Sequence, residues 1–226
     1  MSLIFINRLS AWAPGINGSA DWAEWASGGK NILRSSKGPD LLFADTMFRR
    51  RLSQISKMTI QVLHDLLPFE NETKVFFFSF RGELSRQYQI NKMLIEEKSL
   101  SPAVFSLSVF NAPAALATMA LGLKGGYSAL YPADNCFNSG LLAVQAALLG
   151  SSEHEVAFIY ADEEVLSEYG SFFNETPPPA FSFGLLLSKI EGENAIPLPP
   201  SDEQETPFLF FKKIMEGSFL GQSFPS

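Results

Sequence analysis

Residues 101–150, SPAVFSLSVFNAPAALATMALGLKGGYSALYPADNCFNSGLLAVQAALLG, contain only two charged side chains, Lys124 and Asp134. A chain that dissolves in water seldom exposes so long an uncharged stretch. Glycine, proline and polar residues interrupt the stretch too often for a helix that spans a membrane. We therefore expect it to be buried, either in a core or against another subunit.

The composition indicates one domain, or one domain with a small appendage. The chain has 226 residues, is 46% hydrophobic and carries a formal net charge of −7. That length and apolar content are enough for a sizeable core, and the acidic balance argues against a nucleic-acid partner. We predict a domain over residues 1–190, followed over 191–226 by a proline-containing acidic linker and a C-terminal apolar segment.

The cysteine content and the hydropathy limit which compartment the protein occupies and which metals or cofactors it could hold. The single cysteine, Cys136, excludes an intramolecular disulfide and a cysteine-based zinc site, and it suits a reducing compartment. The first residues lack the features of a signal peptide, and no apolar run is long enough to predict a membrane span. We expect a cytoplasmic protein with no metal and no cofactor.

Hydrophobic periodicity predicts alternating strands and helices. This order indicates an α/β fold with helices on both faces of a sheet. The stretch 104–109 alternates loosely and is either a strand or an extended arm. The predicted strands are 3–7, 74–80, 127–131, 156–160 and 180–188, and the predicted helices are 49–67, 83–97, 113–122 and 137–149.

The basic residues cluster in the first half of the chain, at Arg49, Arg50, Arg51 and Lys57. Residues 151–226 are strongly acidic by contrast, with three Lys or Arg against thirteen Asp or Glu. The basic cluster has two interpretations: a solvated helix face, or a docking surface for an acidic partner.

Cys136 stands where a turn enters the helix predicted at 137–149. A helix N-terminus lowers the pKa of a thiol and stabilises an oxyanion, because its backbone N–H groups are free. Asn138, Ser139 and Gly140 are small enough for a tight turn of the kind that carries a nucleophile. Cys136 is thus a candidate nucleophile, and the alternative is a small buried hydrophobic residue.

Other polar residues are weaker candidates. Asp162, Glu163 and Glu164 follow a predicted strand, where carboxylates bind metal or act as acids, but they more commonly complement a helix dipole. His64 is predicted on a helix face and His154 on the surface.

Several segments together resemble a known family. RRRLSQISKMTIQVLHDLL, KVFFFSFRGEL, SPAVFSLSVFNAPAALATMALG and the turn around Cys136 follow one another in the order of thiolase-fold β-ketoacyl synthases. They are most similar to a divergent branch, the β-ketoacyl synthase-like N-terminal domain proteins, over roughly residues 1–190. That branch includes chain-length-factor-like subunits of aryl polyene and related fatty-acid-type pathways. The resemblance implies a thiolase-like N-terminal half with a mixed, mostly parallel sheet and helices on both faces.

The departures from that family concern the nucleophile. Alignment of Ser139 to Val144 with the family's buried helix places Phe137 at the nucleophile position and Cys136 one residue earlier. The family's histidines come from a second half, and neither His64 nor His154 lies in a family-like motif. Either Phe137 plugs the pocket, or a slip of one residue in the turn presents the Cys136 sulfur instead.

The resemblance implies a partner subunit without its own catalysis. Such a subunit would pair with a full-length β-ketoacyl synthase, or with itself as a homodimer, and would shape the acyl channel in polyketide or fatty-acid-type chain elongation. An acyl carrier protein would dock on Arg49, Arg50, Arg51 and Lys57. The alternatives are a small acyltransferase that uses Cys136 as nucleophile, and a stand-alone α/β binding or scaffold protein. The candidates for the interface or channel wall are Phe105, Phe110, Asn111, Met119, Tyr127 and Phe137.

Overall fold

The computed structural model describes residues 4–172 and 177–218. The strands are β1 Phe5–Trp12, β2 Lys74–Phe78, β3 Tyr127–Leu130, β4 Glu155–Asp162, β5 Phe181–Ser188 and β6 Ile196–Pro197. The helices are α1 Gly18–Ala26, α2 Thr46–Arg49, α3 Gln54–Asp65, α4 Leu84–Glu96, α5 Pro102–Ser106, α6 Ala112–Leu121, α7 Phe137–Gly150 and α8 Pro207–Ser218. Short 3₁₀ turns occupy Ala133–Asn135 and Ser167–Phe172.

The described strands form one mixed sheet in the order β3-β2-β4-β5-β1-β6. Strand β2 pairs in parallel with β3 and with β4, and the connections between these strands run through α4, α5, α6 and α7. The β4–β5, β1–β5 and β1–β6 pairs are antiparallel. The predicted mixed α/β sheet is therefore present, although parallel pairings are two of the five and not the majority.

Helices cover both faces of the sheet, as predicted. On one face α1, α7 and α8 share a core cluster with the sheet, to which they contribute Trp22, Leu141 and Phe211. On the other face α3 and α6 pack through residues such as Val62 and Ala117. Because β4 and β5 lie between these layers, nearly every side chain along them is buried. Both strands are mainly apolar in sequence, as buried strands are.

Helix α3 begins later than its periodicity predicts. Ser53 caps it, because its Oγ accepts a hydrogen bond from the Ser56 N–H at 3.1 Å, a typical use of serine at a helix start. Arg49 lies instead at the end of α2, which is capped by the Asp45 carboxylate. The predicted helix over 49–67 is thus two helices separated by a turn.

The alternative of a strand or extended arm at 104–109 is wrong. Residues Pro102–Ser106 form α5. Proline is well suited to the first turn of a helix, since the missing N–H has no partner there in any case. The apolar alternation of Phe105, Leu107 and Val109 therefore does not reflect a strand.

The segment after residue 190 returns to the same core. Strand β6 pairs with β1, and α8 buries Phe210, Phe211 and Ile214 in the cluster that holds α7. The docking of this apolar segment agrees with the sequence, while the domain boundary at 190 stays a prediction.

Within the described ranges, none of the helices combines the length and apolar character that crossing a bilayer requires.

Candidate functional site

The start of α7 is a closed turn that places Cys136 just outside the helix. Cys136 has an extended backbone, with φ −105° and ψ 120°, and is half-buried. Ser139 closes the turn, because its Oγ donates to the Cys136 carbonyl at 2.7 Å and accepts from the Ala133 N–H at 3.1 Å. The Cys136 thiol donates at 3.5 Å to the Glu203 carbonyl, on the segment before α8.

Phe137, which the sequence resemblance predicts at the nucleophile position, lies inside the core. It is 1% exposed. Its ring is surrounded by other aromatic rings, with centroids at 5.3 Å from Phe210, 5.6 Å from Phe78 and 6.0 Å from Tyr160. Edge-to-face packing of this kind stabilises a core beyond the burial of area alone. At this position the chain offers no nucleophile and no contact with solvent.

Gly140 allows α7 to approach the sheet closely. A Cβ atom at this position would lie 2.2 Å from Cδ2 of Phe78. The sequence suggested that the small residues serve a tight turn, but Gly140 serves the packing of α7 against β2. This close approach holds Phe137 among the aromatic residues of β2 and β4.

The two histidines of the chain lie away from Cys136, on helix α3 and on the surface as predicted. His64 stacks on Phe43 with ring centroids 3.7 Å apart, and its Nδ1 lies 3.0 Å from Asp65. His154 is exposed just before β4. Neither histidine contacts the thiol, so the described residues form no cysteine–histidine pair of the kind that activates a thiol nucleophile.

Strand β3 leaves one edge of the sheet free, and the helices before and after it in the chain, α6 and α7, expose uncharged faces. In the described sheet β3 pairs only with β2, so its other edge keeps unpaired backbone groups. Helix α7 turns Leu142, Ala143, Ala146 and Leu149 outward, and α6 exposes Met119. We call this edge, with the outward sides of α6 and α7, the β3 surface. The stretch 101–150 is therefore only partly buried within this chain.

The predicted interface residues fall into different environments. Phe105 and Met119 are exposed by 53% and 75%. Phe110 is half-buried against Gly82, and the exposed Asn111 donates its side-chain N–H to the hydroxyl of the half-buried Tyr127 at 3.0 Å. Phe137 lies behind the surface. Sequence reasoning missed the outward face of α7, although Leu142, Ala146 and Leu149 recur at helical spacing.

Asp162, at the end of β4, organises the turn after β2. It accepts hydrogen bonds from the Ser79 hydroxyl at 2.7 Å, the Tyr160 hydroxyl at 3.0 Å and the Arg81 N–H at 3.1 Å. Burial raises the pKa of the Tyr160 hydroxyl well above its usual range, and the Asp162 charge adds to that effect. The environment of Asp162 is that of a structural carboxylate.

Glu163 and Glu83 form a buried carboxyl pair where α3, α4 and β4 meet. Glu163 accepts from the Ser85 N–H at 2.7 Å, at the start of α4. Burial raises the pKa of Glu163 to about 7, and the Glu83 charge also raises it. Glu83, which no sequence pattern singles out, accepts from the Ser53 hydroxyl at 2.7 Å.

These carboxylates have partners within the chain. Burial also raises the pKa of Glu83, against the opposing effects of two serine hydroxyls and Arg86. Glu164 pairs with Arg34 at 2.5 Å. Among the described residues, no group of three or more His, Cys, Asp or Glu side chains has a metal-binding arrangement. The interpretation as charges that complement a helix fits Glu163, but the helix is α4 and not one that follows it in sequence.

The basic cluster does not act as one unit. Arg49 is half-buried and donates to the Asp40 carbonyl at 2.9 Å and to Thr46 Oγ1 at 3.0 Å. Arg50 and Arg51 are exposed, and the half-buried Lys57 lines an open cleft of about 480 Å³. The residues that lie free for a partner are therefore Arg50, Arg51 and Lys57.

Solved structures share this fold. A ketosynthase (ApeO) in complex with its chain length factor (ApeC) from Xenorhabdus doucetiae matches with a TM-score of 0.68 and 24% identity, over 84% of this chain and 80% of that chain. The ishigamide ketosynthase/chain length factor matches with a TM-score of 0.66 and 15% identity, over 87% of this chain and 64% of that chain.

A third structure holds a type II polyketide synthase acyl carrier protein in complex with its ketosynthase. It matches with a TM-score of 0.59 and 13% identity, over 83% of this chain and 63% of that chain. The chain thus spans less than two thirds of the second and third relatives. No curated protein matches this sequence.

The structural similarity establishes a thiolase-like, ketosynthase-like fold, and at these identities it establishes the fold alone. The sequence itself matches a family model. Residues 22–206, most of the chain, match the model of the β-ketoacyl synthase N-terminal domain, and the chain belongs to that family.

Proposed function

We propose that this chain is a non-catalytic, ketosynthase-like partner subunit that shapes the acyl channel of a full-length β-ketoacyl synthase during polyketide or fatty-acid-type chain elongation. One observation carries the proposal. Phe137, which the family resemblance predicts at the nucleophile position, is buried among aromatic rings. A phenyl ring has no group that can attack a thioester, so covalent catalysis has no nucleophile there.

The β3 surface supports a partner role. It combines a free strand edge with outward helix faces that carry no charge, including Met119, Leu142 and Leu149. Exposed apolar areas next to an unpaired edge favour association with another protein. Two of the structural relatives are described as a ketosynthase with its chain length factor, and we propose the same kind of heterodimer here, with a homodimer as the alternative.

The predicted channel residues take separate roles in this proposal. Phe105 and Met119, which are exposed, would contact the partner. Phe110 and Asn111, together with Tyr127 at the start of β3, would contribute to the channel wall. Phe137, which is buried, would act from behind by keeping α7 in place.

An acyl carrier protein completes the set of proposed partners. One structural relative is described as a carrier protein in complex with its ketosynthase. Docking would use Arg50, Arg51 and Lys57, because carrier surfaces are typically acidic and opposite charges guide association. Arg49 would stabilise the turn that presents them.

Co-expression with a full-length β-ketoacyl synthase from the same organism tests the heterodimer. We expect a one-to-one complex by size-exclusion chromatography with light scattering, and condensation that is lost without this chain but kept with Cys136→Ala. Leu142→Arg should abolish the complex, while the control Ile190→Arg, at a residue of similar exposure (55% and 61%), should preserve it. A complex unaffected by Leu142→Arg would contradict the β3 surface as the interface.

Cys136 carries a second candidate function, a small acyltransferase. The half-buried thiol immediately precedes α7, where the free backbone N–H groups of a helix N-terminus can stabilise an oxyanion. Stoichiometric transfer of an acyl group from a thioester to this chain alone, lost in Cys136→Ser, would establish that function and overturn the first. A stable monomer with neither acyl label nor affinity for a ketosynthase would favour a stand-alone binding or scaffold protein.

A further inference from the structure

The segment between β6 and α8 lies against the turn that leads into α7. It follows β6, which pairs with β1, and it ends at Thr206, whose Oγ1 accepts from the Leu209 N–H at 3.2 Å in the first turn of α8. Between these points the Glu203 carbonyl accepts a hydrogen bond from the Cys136 thiol at 3.5 Å. We call residues 200–206 the strap, because both of its ends are anchored and its middle contacts the residue before α7.

Lys213 on α8 fastens the strap. Its Nζ donates to the Pro200 carbonyl at 3.0 Å and lies 2.5 Å from Oε1 of Glu205, so that it joins the two ends of the strap. The Glu205 side chain is only 6% exposed, and so buried a carboxylate needs a cation beside it, because an unpaired buried charge is costly. Residues 202–204, between these contacts, are exposed. The closed position of the strap therefore depends chiefly on one lysine.

The closed strap also buries polar atoms that find no partner in the chain. Among the described residues, Oγ of Ser201 and Oε2 of Glu205 are buried and take part in no hydrogen bond. A buried polar atom of this kind has given up its contact with water without a hydrogen bond in return, and this destabilises the closed form. Both atoms regain water when the strap lifts. Lys213 thus holds the strap closed against a cost, an arrangement suited to local opening while the rest of the fold stays intact.

The contact with the thiol couples the position of the strap to the chemistry of Cys136. A cysteine reacts as its thiolate, and a thiolate has no hydrogen to donate to the Glu203 carbonyl. That contact must therefore break before the sulfur attacks an electrophile. Cys136 is half-buried, and the movement that breaks the contact also uncovers the side of the sulfur that faces the strap.

We propose that the strap opens and closes over the start of α7, with Lys213 holding it closed, and that it thereby controls access to Cys136. In the closed form the thiol stays bound to the Glu203 carbonyl. In the open form the sulfur meets electrophiles from solution, and any acyl transfer to Cys136 takes place from this form. The inference goes beyond the proposed subunit role, because it concerns this chain alone, without a ketosynthase.

The rate at which iodoacetamide alkylates Cys136 tests the inference on the full chain. The thiolate attacks this uncharged reagent, a C–S bond forms, the C–I bond breaks with loss of iodide, and the thiol proton passes to the buffer. Because Cys136 is the single cysteine, alkylation reports on it alone. Lys213→Gln should raise the rate about tenfold, since the closed form loses a charge-assisted hydrogen bond. Loss of a nearby cation by itself disfavours a thiolate, so a faster rate would reflect opening of the strap.

Lys212→Gln is the matched control. Lys212 and Lys213 are neighbours whose side chains are 42% and 43% exposed, but Lys212 pairs with Glu216 at 3.9 Å and not with the strap. Its replacement should leave the rate of alkylation unchanged. Ser201→Ala should act in the opposite direction and slow alkylation about threefold, because it removes from the closed form a buried hydroxyl that has no partner.

Low concentrations of urea distinguish opening of the strap from unfolding of the whole chain. Opening of a short segment exposes little surface, so the rate of alkylation should rise only slightly with urea, whereas global unfolding rises steeply. The inference is overturned if the rate in Lys213→Gln follows global unfolding, if Lys212→Gln produces an equal increase, or if Lys213→Gln produces none. None of these results bears on the heterodimer, which complex formation tests separately.

Discussion

Phe137 is the residue on which the start of α7 depends. Its replacement by alanine should lower the free energy of unfolding by about 3–5 kcal/mol, since it leaves a cavity among Phe78, Tyr160 and Phe210 that neighbouring rings cannot fill. Cys136→Ala should have a much smaller effect, because the half-buried thiol makes one weak hydrogen bond. Urea unfolding followed by circular dichroism measures both, and equal effects would contradict the placement of Phe137.

Gly140 and Gly150 offer a matched pair within one helix. Alanine is ordinarily favoured over glycine in a helix by up to about 1 kcal/mol. At Gly140 we expect the opposite, a loss of stability, because the new Cβ would meet Phe78 at 2.2 Å. At Gly150, where nothing lies within 4 Å, alanine should be neutral or stabilising. Thermal unfolding of the two variants provides the comparison, and a stabilised Gly140→Ala would contradict the close approach of α7 to β2.

The sequence was sufficient to predict the turn around Cys136 but not the orientation of its side chains. Residue type and spacing predicted that a helix begins after Cys136, and it does. Whether Cys136 or Phe137 points inward depends on the rings of β2, β4 and α8, which come from distant parts of the chain. That information is tertiary, so local pattern could not supply it.

The junction of α3, α4 and β4 should make stability depend on pH. Burial raises the pKa of Glu163 to about 7 from the ordinary 4.5 of a glutamate, so the folded protein holds this proton more tightly than the unfolded chain. The associated stabilisation is complete below pH 4.5 and is lost as pH rises toward and through 7. Its size is roughly 3 kcal/mol, and the raised pKa of Glu83 acts in the same direction.

Glu163→Gln tests this dependence by unfolding at several pH values. Glutamine has an oxygen that can accept from the Ser85 N–H but cannot ionise, so the variant should lose less stability than the native chain between pH 5 and 8. Glu168→Gln, at an exposed position, should keep the native slope. An unchanged slope in Glu163→Gln would mean that this carboxyl titrates normally.

At the level of secondary structure, the central strands and the helices with clear periodicity could be predicted from the sequence. Strands β2, β4 and β5 follow from their apolar runs, and α6 and α7 follow from their lengths and the adjacent turns. The error at α5 arose because Phe105, Leu107 and Val109 alternate like a strand, while Pro102 starts a helix. The antiparallel β1–β5 pairing could not be read from the sequence, because buried strands of either orientation are equally apolar.

Over the whole molecule, the core is completed by a helix distant in sequence. Phe211 on α8 is fully buried and its ring lies 5.1 Å from Trp22 of α1. Phe211→Ser should therefore destabilise the entire fold by about 3 kcal/mol or more. Leu209→Ser, at a neighbouring position that is 56% exposed, should have little effect. Differential scanning calorimetry should show one transition that shifts only in the first variant.

The aromatic packing around Phe137 also bears on whether this position could be given a thiol. Replacement of Phe137 by cysteine would place its sulfur among phenyl rings, where burial raises a thiol's pKa, and would leave a cavity behind it. The variant would thus be less stable, and its buried thiol would stay largely protonated. A reactive thiol at position 137 would require changes in Phe78 and Phe210 as well. One substitution therefore does not convert the start of α7 into a nucleophile site.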